Sequence, residues 1–168
     1  YESIRRAMRD SYTRSNVPSA GFAAGPCLLK DTMQLCVFNK NQFQLGHAAM
    51  LVNEGLPNYI VEKLRVKHVD LSNKSIGILG MAFKADIDDI RDSLSFKLRK
   101  ILTFYGARVF CSDEFVKDET FVSKEELLKV CDIIIIGVPH SAYKSMEFPP
   151  HKEIIDIWGD IIKVQDLR

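Results

Sequence analysis

Ser75-Ile76-Gly77-Ile78-Leu79-Gly80 is a short apolar run closed by glycine, set off from what precedes it by the polar stretch Lys67 to Lys74. Apolar residues at successive positions, without polar alternation, mark a strand buried on both faces, as strands of parallel sheets are. The same kind of reading repeats downstream. Ser93 to Tyr105 patterns as an amphipathic helix, Arg108-Val109-Phe110-Cys111 as a strand and Lys124 to Val130 as a helix. Asp132 to Val138 follows as a buried strand and Glu153-Ile154-Ile155-Asp156-Ile157 as another. Strand, helix, strand, helix, strand predicts an α/β unit, a parallel sheet with helices on both faces.

Upstream the pattern is helical. A first helix runs to about Asp10, a glycine-rich loop follows, and helices are expected over Leu28 to Phe38 and Gln42 to Val66. In the last, Leu45, Ala48, Ala49, Val52, Leu56, Tyr59, Ile60 and Leu64 recur near the helical period, with Pro57 as an expected kink. That stripe is wide enough for its own domain and a partner. The chain thus divides into a helical central segment, residues 1–66, and a Rossmann-like domain, residues 67–168. It starts at Tyr1 without methionine, inside a helical pattern, and reads as part of a longer protein.

Composition narrows the class. Of 168 residues, 46% are hydrophobic and 27% charged, with a formal net charge of +1, the balance of a soluble globular protein without the basic excess of a nucleic-acid binder. The longest apolar stretch, Ile133 to Val138, falls far short of the roughly 20 residues that cross a bilayer, and no signal-peptide pattern opens the chain. Cys27, Cys36, Cys111 and Cys131 have no CxxC spacing, which predicts reduced thiols, no zinc and a cytoplasmic setting. His47, His68, His140 and His151 show neither ligand spacing nor pairing, so no metal is expected. Gly77-x-x-Gly80 is short of the full GxGxxG fingerprint and lacks the acid that binds a ribose hydroxyl, so it is not read as an NAD site.

The chemistry points to Cys27, within Ala20-Gly21-Phe22-Ala23-Ala24-Gly25-Pro26-Cys27-Leu28-Leu29-Lys30-Asp31. Gly21, Gly25 and Pro26 favour a tight, irregular backbone, and a helix opening at or just after the thiol favours an anion there. Asp31 lies one turn on, where its carboxylate can position or activate a water beside whatever the sulfur holds. The pair suits acyl-thioester hydrolysis. Plainer readings stand beside it: a lone cysteine also packs as a small hydrophobe, and a first-turn acid also stabilises a helix dipole. Lys84 and Arg91 follow the first strand, where open α/β sheets bind ligands, although such residues are usually solvated surface charges. Cys36, Cys111 and Cys131 read as core residues, and Trp158 as packing near the last strand.

The Cys27 loop, Asn53-Glu54-Gly55-Leu56-Pro57, and Gly77-Ile78-Leu79-Gly80-Met81-Ala82-Phe83-Lys84-Ala85-Asp86-Ile87-Asp88-Asp89-Ile90-Arg91-Asp92-Ser93, in that order, resemble the UDP-glucose/GDP-mannose dehydrogenase family. Its members oxidise the primary alcohol of a nucleotide sugar to a carboxylate in two hydride transfers to NAD. By that resemblance Cys27 would capture the aldehyde as a thiohemiacetal and then carry the thioester, and Asp31 would activate the hydrolytic water. Phe83 and Lys84 would contact the sugar nucleotide, and Arg91 would fix its loop or an anionic ligand. Gly25, Lys30 and Asn53 would belong to the same substrate site. Arg14 sits where the family places an arginine that reaches a neighbouring subunit's sugar site.

The resemblance further implies a UDP-sugar substrate, a homodimer through the central helix, and NAD held mainly by an N-terminal domain outside these residues. Without that domain the chain is expected not to turn over. Ile155-Asp156-Ile157-Trp158-Gly159-Asp160 lacks the arginine that some members carry after the equivalent aspartate, which leaves sugar and base open. Two other readings remain: a non-catalytic nucleotide-sugar-binding or oligomerisation module, and a cysteine hydrolase, for which no histidine has a recognisable position relative to Cys27.

Overall fold

Strands Ser75–Leu79 (β1), Arg108–Ser112 (β2), Ile133–Ile136 (β3) and Glu153–Asp156 (β4) form one parallel sheet in the order β2-β1-β3-β4. The structure is a computed structural model and describes residues 2–10, 12, 14, 17–159 and 161. Helices Glu2–Arg9 (α1), Leu28–Phe38 (α2) and Gln44–His68 (α3) precede the sheet; Leu94–Phe104 (α4) and Lys124–Val130 (α5) connect its strands. The α/β architecture is the one expected, with one added element, a 3-10 turn over Ser141–Ser145. None of the described helices is long and apolar enough to cross a membrane.

The continuous apolar runs feed both faces of the sheet because successive side chains point to opposite sides. Ile76, Ile78, Ile133 and Ile135 pack with Leu94, Leu98 and Leu102 of α4 and with Val61 and Leu64 of α3. Leu79, Ile134 and Ile136 pack on the other face with Leu127 of α5, Cys131 and Tyr143. Each such aliphatic side chain contributes about 2 kcal/mol when buried. Ser93 caps α4 by accepting the Ser95 N–H, and Ser123 caps α5 by accepting that of Glu126.

Differences from expectation have local causes. β3 ends before Gly137 because the N–H groups of Gly137 and Val138 both turn to the Leu79 carbonyl. β4 ends at Asp156, whose carboxylate accepts the N–H groups of Trp158 and Ile161. α3 runs unbroken through Pro57, which is buried. Its apolar stripe divides: Val61 and Leu64 face the core, while Leu45, Val52 and Tyr59 are exposed. Histidine pairing, absent from the sequence reading, is present. His68 Nε2 lies 2.8 Å from Glu153 Oε2, with Lys67 Nζ 2.9 Å from Oε1, tying the end of α3 to β4.

α4 crosses from β1 to β2 on one face and α5 from β2 to β3 on the other. The winding therefore reverses between β1 and β3, and the crevice at their carboxyl ends is the expected ligand position in an open α/β sheet. Because α3 shares a core with the sheet, Leu64→Ala should lower stability by about 3 kcal/mol. Helical circular dichroism and the emission of Trp158, the single tryptophan, should still report one common denaturant transition. Separate transitions for the two signals would show that α3 and the sheet unfold independently.

Candidate functional site

The segment from Met81 to Ser93 joins β1 to α4 without regular structure, yet hydrogen bonds hold it at both ends and in the middle. Asp113, just past β2, does most of this. Its Oδ2 accepts the N–H of Met81 (2.6 Å) and Ala82 (3.0 Å), and its Oδ1 those of Phe115 (2.8 Å) and Val116 (2.9 Å). His140, just past β3, adds Nε2 at 3.1 Å from Oδ2, and both side chains are fully buried. The opposite ring nitrogen, Nδ1, accepts the Asp86 N–H at 2.9 Å, so the proton sits on Nε2 and is donated to Asp113. Burial opposes the charge on Asp113, but the His140 and backbone hydrogen bonds outweigh it and hold the carboxyl down at about 2.

Asp86 closes the middle of the loop. It adopts a positive φ of 59°, and its Oδ1 accepts the N–H and hydroxyl of Ser141, which hold its carboxyl below the ordinary range. Asp89 closes the outer end: its carbonyl accepts the Phe83 N–H at 2.9 Å and its carboxylate takes the Arg91 guanidinium through Nε and Nη2. Those hydrogen bonds and the Asp89 charge raise the affinity of Arg91 for its proton, and the nearby Cys27 adds to the effect in the same sense. The Ser93 hydroxyl donates to the Ala82 carbonyl, completing the closure. Lys84 is exposed at the crest of this pinned loop.

Against this loop stands the thiol loop, residues 20–27. Phe22 is buried in the core that α3, α4 and the sheet share. The Asn53 amide of α3 bridges the Ala23 backbone, accepting its N–H at 3.0 Å and donating to its carbonyl at 2.6 Å. Gly25 is buried, with φ +125°, and a Cβ there would lie 3.0 Å from the Phe83 ring. Gly21, at φ +142°, lies against the indole of Trp158, whose six-membered ring a Cβ would overlap. Cys27 occupies the N-cap position of α2 with its side chain making no capping bond, and it is the one exposed cysteine of the four. Asp31 closes the first turn by donating its N–H to the Cys27 carbonyl at 2.8 Å.

The structure therefore lays Gly25 of the thiol loop on Phe83 of the pinned loop, with Cys27 two residues on and near Arg91, and ties Ala23 of the same loop to Asn53. Asn53, expected at the substrate, spends its amide on the loop backbone. Lys30 and Asp31 are exposed, 3.4 Å apart, and Arg14 is exposed. A cavity of about 460 Å³ opens between Leu29 of α2, Glu54 of α3, the end of the pinned loop and α4. Leu29, Glu54, Ile90, Asp92, Lys97 and Lys100 are among its lining. The burial of the remaining cysteines agrees with the sequence reading, and desolvation pushes the thiols of Cys111 and Cys131 up to about 11. Sequence reasoning missed Asp113 and His140. An acid directly after a predicted strand was the available signal.

Fold and site together define a parallel α/β sheet preceded by helices, with an exposed thiol at the start of α2. Residues 77–162 match the model of the UDP-glucose/GDP-mannose dehydrogenase family, UDP binding domain. The chain belongs to this family. It is 30% identical over 166 residues to the UDP-N-acetyl-D-mannosamine dehydrogenase of Pyrococcus horikoshii, covering 93% of this chain and 39% of that protein. With the UDP-glucose 6-dehydrogenase of Rickettsia bellii it shares 27% identity over 139 residues, 74% of this chain and 32% of the relative. Among solved structures, a UDP-glucose dehydrogenase from the hyperthermophilic archaeon Pyrobaculum islandicum superposes with a TM-score of 0.77 at 26% identity, covering 85% of this chain and 36% of that one. The chain thus spans about two fifths or less of the length of these relatives.

A carboxylate whose proton affinity is lowered by folding contributes stability above its unfolded value and loses it as pH falls through the folded one. For Asp113, between an ordinary 3.8 and about 2, the contribution is about 2 kcal/mol, present above roughly pH 4 and lost progressively toward pH 2. Asp113→Asn should lower stability at pH 7 and flatten the stability profile across that window in urea titrations. An unchanged acid limb in the variant would remove Asp113 from this role.

Proposed function

We propose that this chain is the thiol-loop and nucleotide-sugar-binding part of an NAD-dependent UDP-sugar 6-dehydrogenase. The observation that carries the reading is the convergence of the one exposed thiol, on a fixed loop, with Phe83 and Arg91 of the pinned loop in the matched UDP-binding domain. In this reading the nucleotide sugar lies along the carboxyl ends of the strands. Lys84 offers its phosphate or sugar oxygens a compact charge, Phe83 lends an apolar wall, and Arg91 reaches the reacting end. Cys27 is the nucleophile that retains the C6 aldehyde as a thiohemiacetal and carries the oxidised carbon as a thioester. Asp31, one turn along α2, positions the water that releases the carboxylate.

The carboxyl end of β2 offers no free acid for the ribose of NAD. The sequence reading finds no acid in the ribose position, but the structure puts Asp113 there, at the end of β2, fully buried with both oxygens occupied. The reading therefore places NAD outside this sheet. It also includes a homodimer through α3, whose exposed Leu45, Leu51, Val52, Tyr59 and Val66 give a partner an apolar surface. The names of the relatives favour UDP-N-acetylmannosamine or UDP-glucose as the sugar nucleotide.

Calorimetric titration with UDP-N-acetylmannosamine, UDP-glucose and GDP-mannose tests the binding half. At least one UDP-sugar should bind more tightly than about 1 mM, and Lys84→Met should weaken it about tenfold, the worth of a charge-assisted hydrogen bond. Failure of every UDP-sugar and of UDP itself would sink the assignment. For the catalytic half, Cys27→Ser in the longer enzyme should abolish carboxylate formation.

A further inference from the structure

Two aromatic rings from the sheet domain press on the two glycines of the thiol loop, Phe83 on Gly25 and Trp158 on Gly21. The two contacts differ in how the ring is held. Phe83 belongs to the irregular segment after β1. Trp158 follows β4, and three groups fix it: its indole N–H donates to the Gly137 carbonyl at 2.8 Å, its backbone N–H donates to Asp156 at 2.9 Å, and its ring packs on the core that holds Phe22. The indole thus joins the ends of β3 and β4 to Gly21, near the start of the loop. Gly21 tolerates the approach because it has no Cβ, and its φ of +142° is open to glycine and strained for other residues.

We infer that Trp158 is a positioning residue for Cys27, holding the thiol loop in register with the carboxyl ends of the strands through its face contact on Gly21. From Gly21 the restraint passes along a short chain in which each member is held: Phe22 in the core, Ala23 on Asn53, Gly25 on Phe83, and Cys27 at the start of α2. A thiol that must meet one carbon of a ligand seated on the sheet gains from such fixing, because small misplacements of reacting groups are costly. The catalytic meaning of the contact rests on the proposed role of Cys27. The contact and its effect on the loop do not.

Amide hydrogen exchange of the chain without ligand tests the inference. In Trp158→Ala and in Gly21→Ala, amides of residues 21–31 should exchange about tenfold faster than in the wild type, while those of β1 and β3 keep their protection. Trp158→Phe, which keeps a ring but loses the N–H, should fall between, and should carry the test if Trp158→Ala does not fold. The double variant should show less than the product of the two single effects, as coupled neighbours do. Wild-type exchange over residues 21–31 in the single variants, or fully multiplicative effects in the double, would reduce Trp158 to core packing. No UDP-sugar is present in this experiment, so a failure of the substrate reading leaves its outcome unaffected.

Discussion

The Asp113 carboxylate and the five donors around it hold the ends of three strands together. A carboxylate taken wholly out of water is costly unless its lone pairs are filled, and here four backbone N–H groups and the His140 imidazole fill them. Those donors come from the loops after β1, β2 and β3, so one charge fixes where three chain segments leave the sheet. The imidazole extends the restraint. With one nitrogen on Asp113 and the other accepting from Asp86, it links the buried carboxylate to the middle of the exposed loop that carries Lys84.

This arrangement explains how a segment without helix or strand can present charged side chains in fixed places. Backbone outside regular structure must still find partners for its polar groups. Between Met81 and Ser93 the partners are Asp113, His140, Asp89 and the Ser93 hydroxyl, which donates to the Ala82 carbonyl. The cost of ordering the loop is offset by these hydrogen bonds inside the protein. The thiol loop follows the same logic with different means. It is fixed by a side-chain amide on its backbone and by rings lying on its glycines, both of which leave Cys27 exposed at its end.

What the sequence made legible was local. The run Ile133 to Ile136 announces a doubly covered strand because every position is apolar, and the helices from about Ser93 and Lys124 announce themselves by the pattern of their own few turns. The glycine-rich loop and the helix that opens after Cys27 were legible for the same reason. The long-range contacts were not. His140 and Asp113 are 27 residues apart and His68 and Glu153 are 85 apart, and neither pair sits at a spacing that a helix or turn would impose. Gly21 and Gly25 were read as turn formers, and their positive φ agrees. The second reason they are glycine, the two aromatic rings, lies in segments that come close only once the sheet has formed.

The four thiols follow from this geometry. Cys111, at the inner end of β2, and Cys131, under α5, lie in the two cores, where desolvation disfavours the thiolate and raises both to about 11. Cys36 is buried on α2, with its sulfur directed at the Phe43 carbonyl at 3.6 Å. Each of these serves as a small apolar group, and a reagent in water reaches none of them without an opening of the structure. Cys27 differs because it stands at the surface start of α2, while Phe22 and Gly25 of the same loop are buried. Of the four thiols, only that of Cys27 meets water directly.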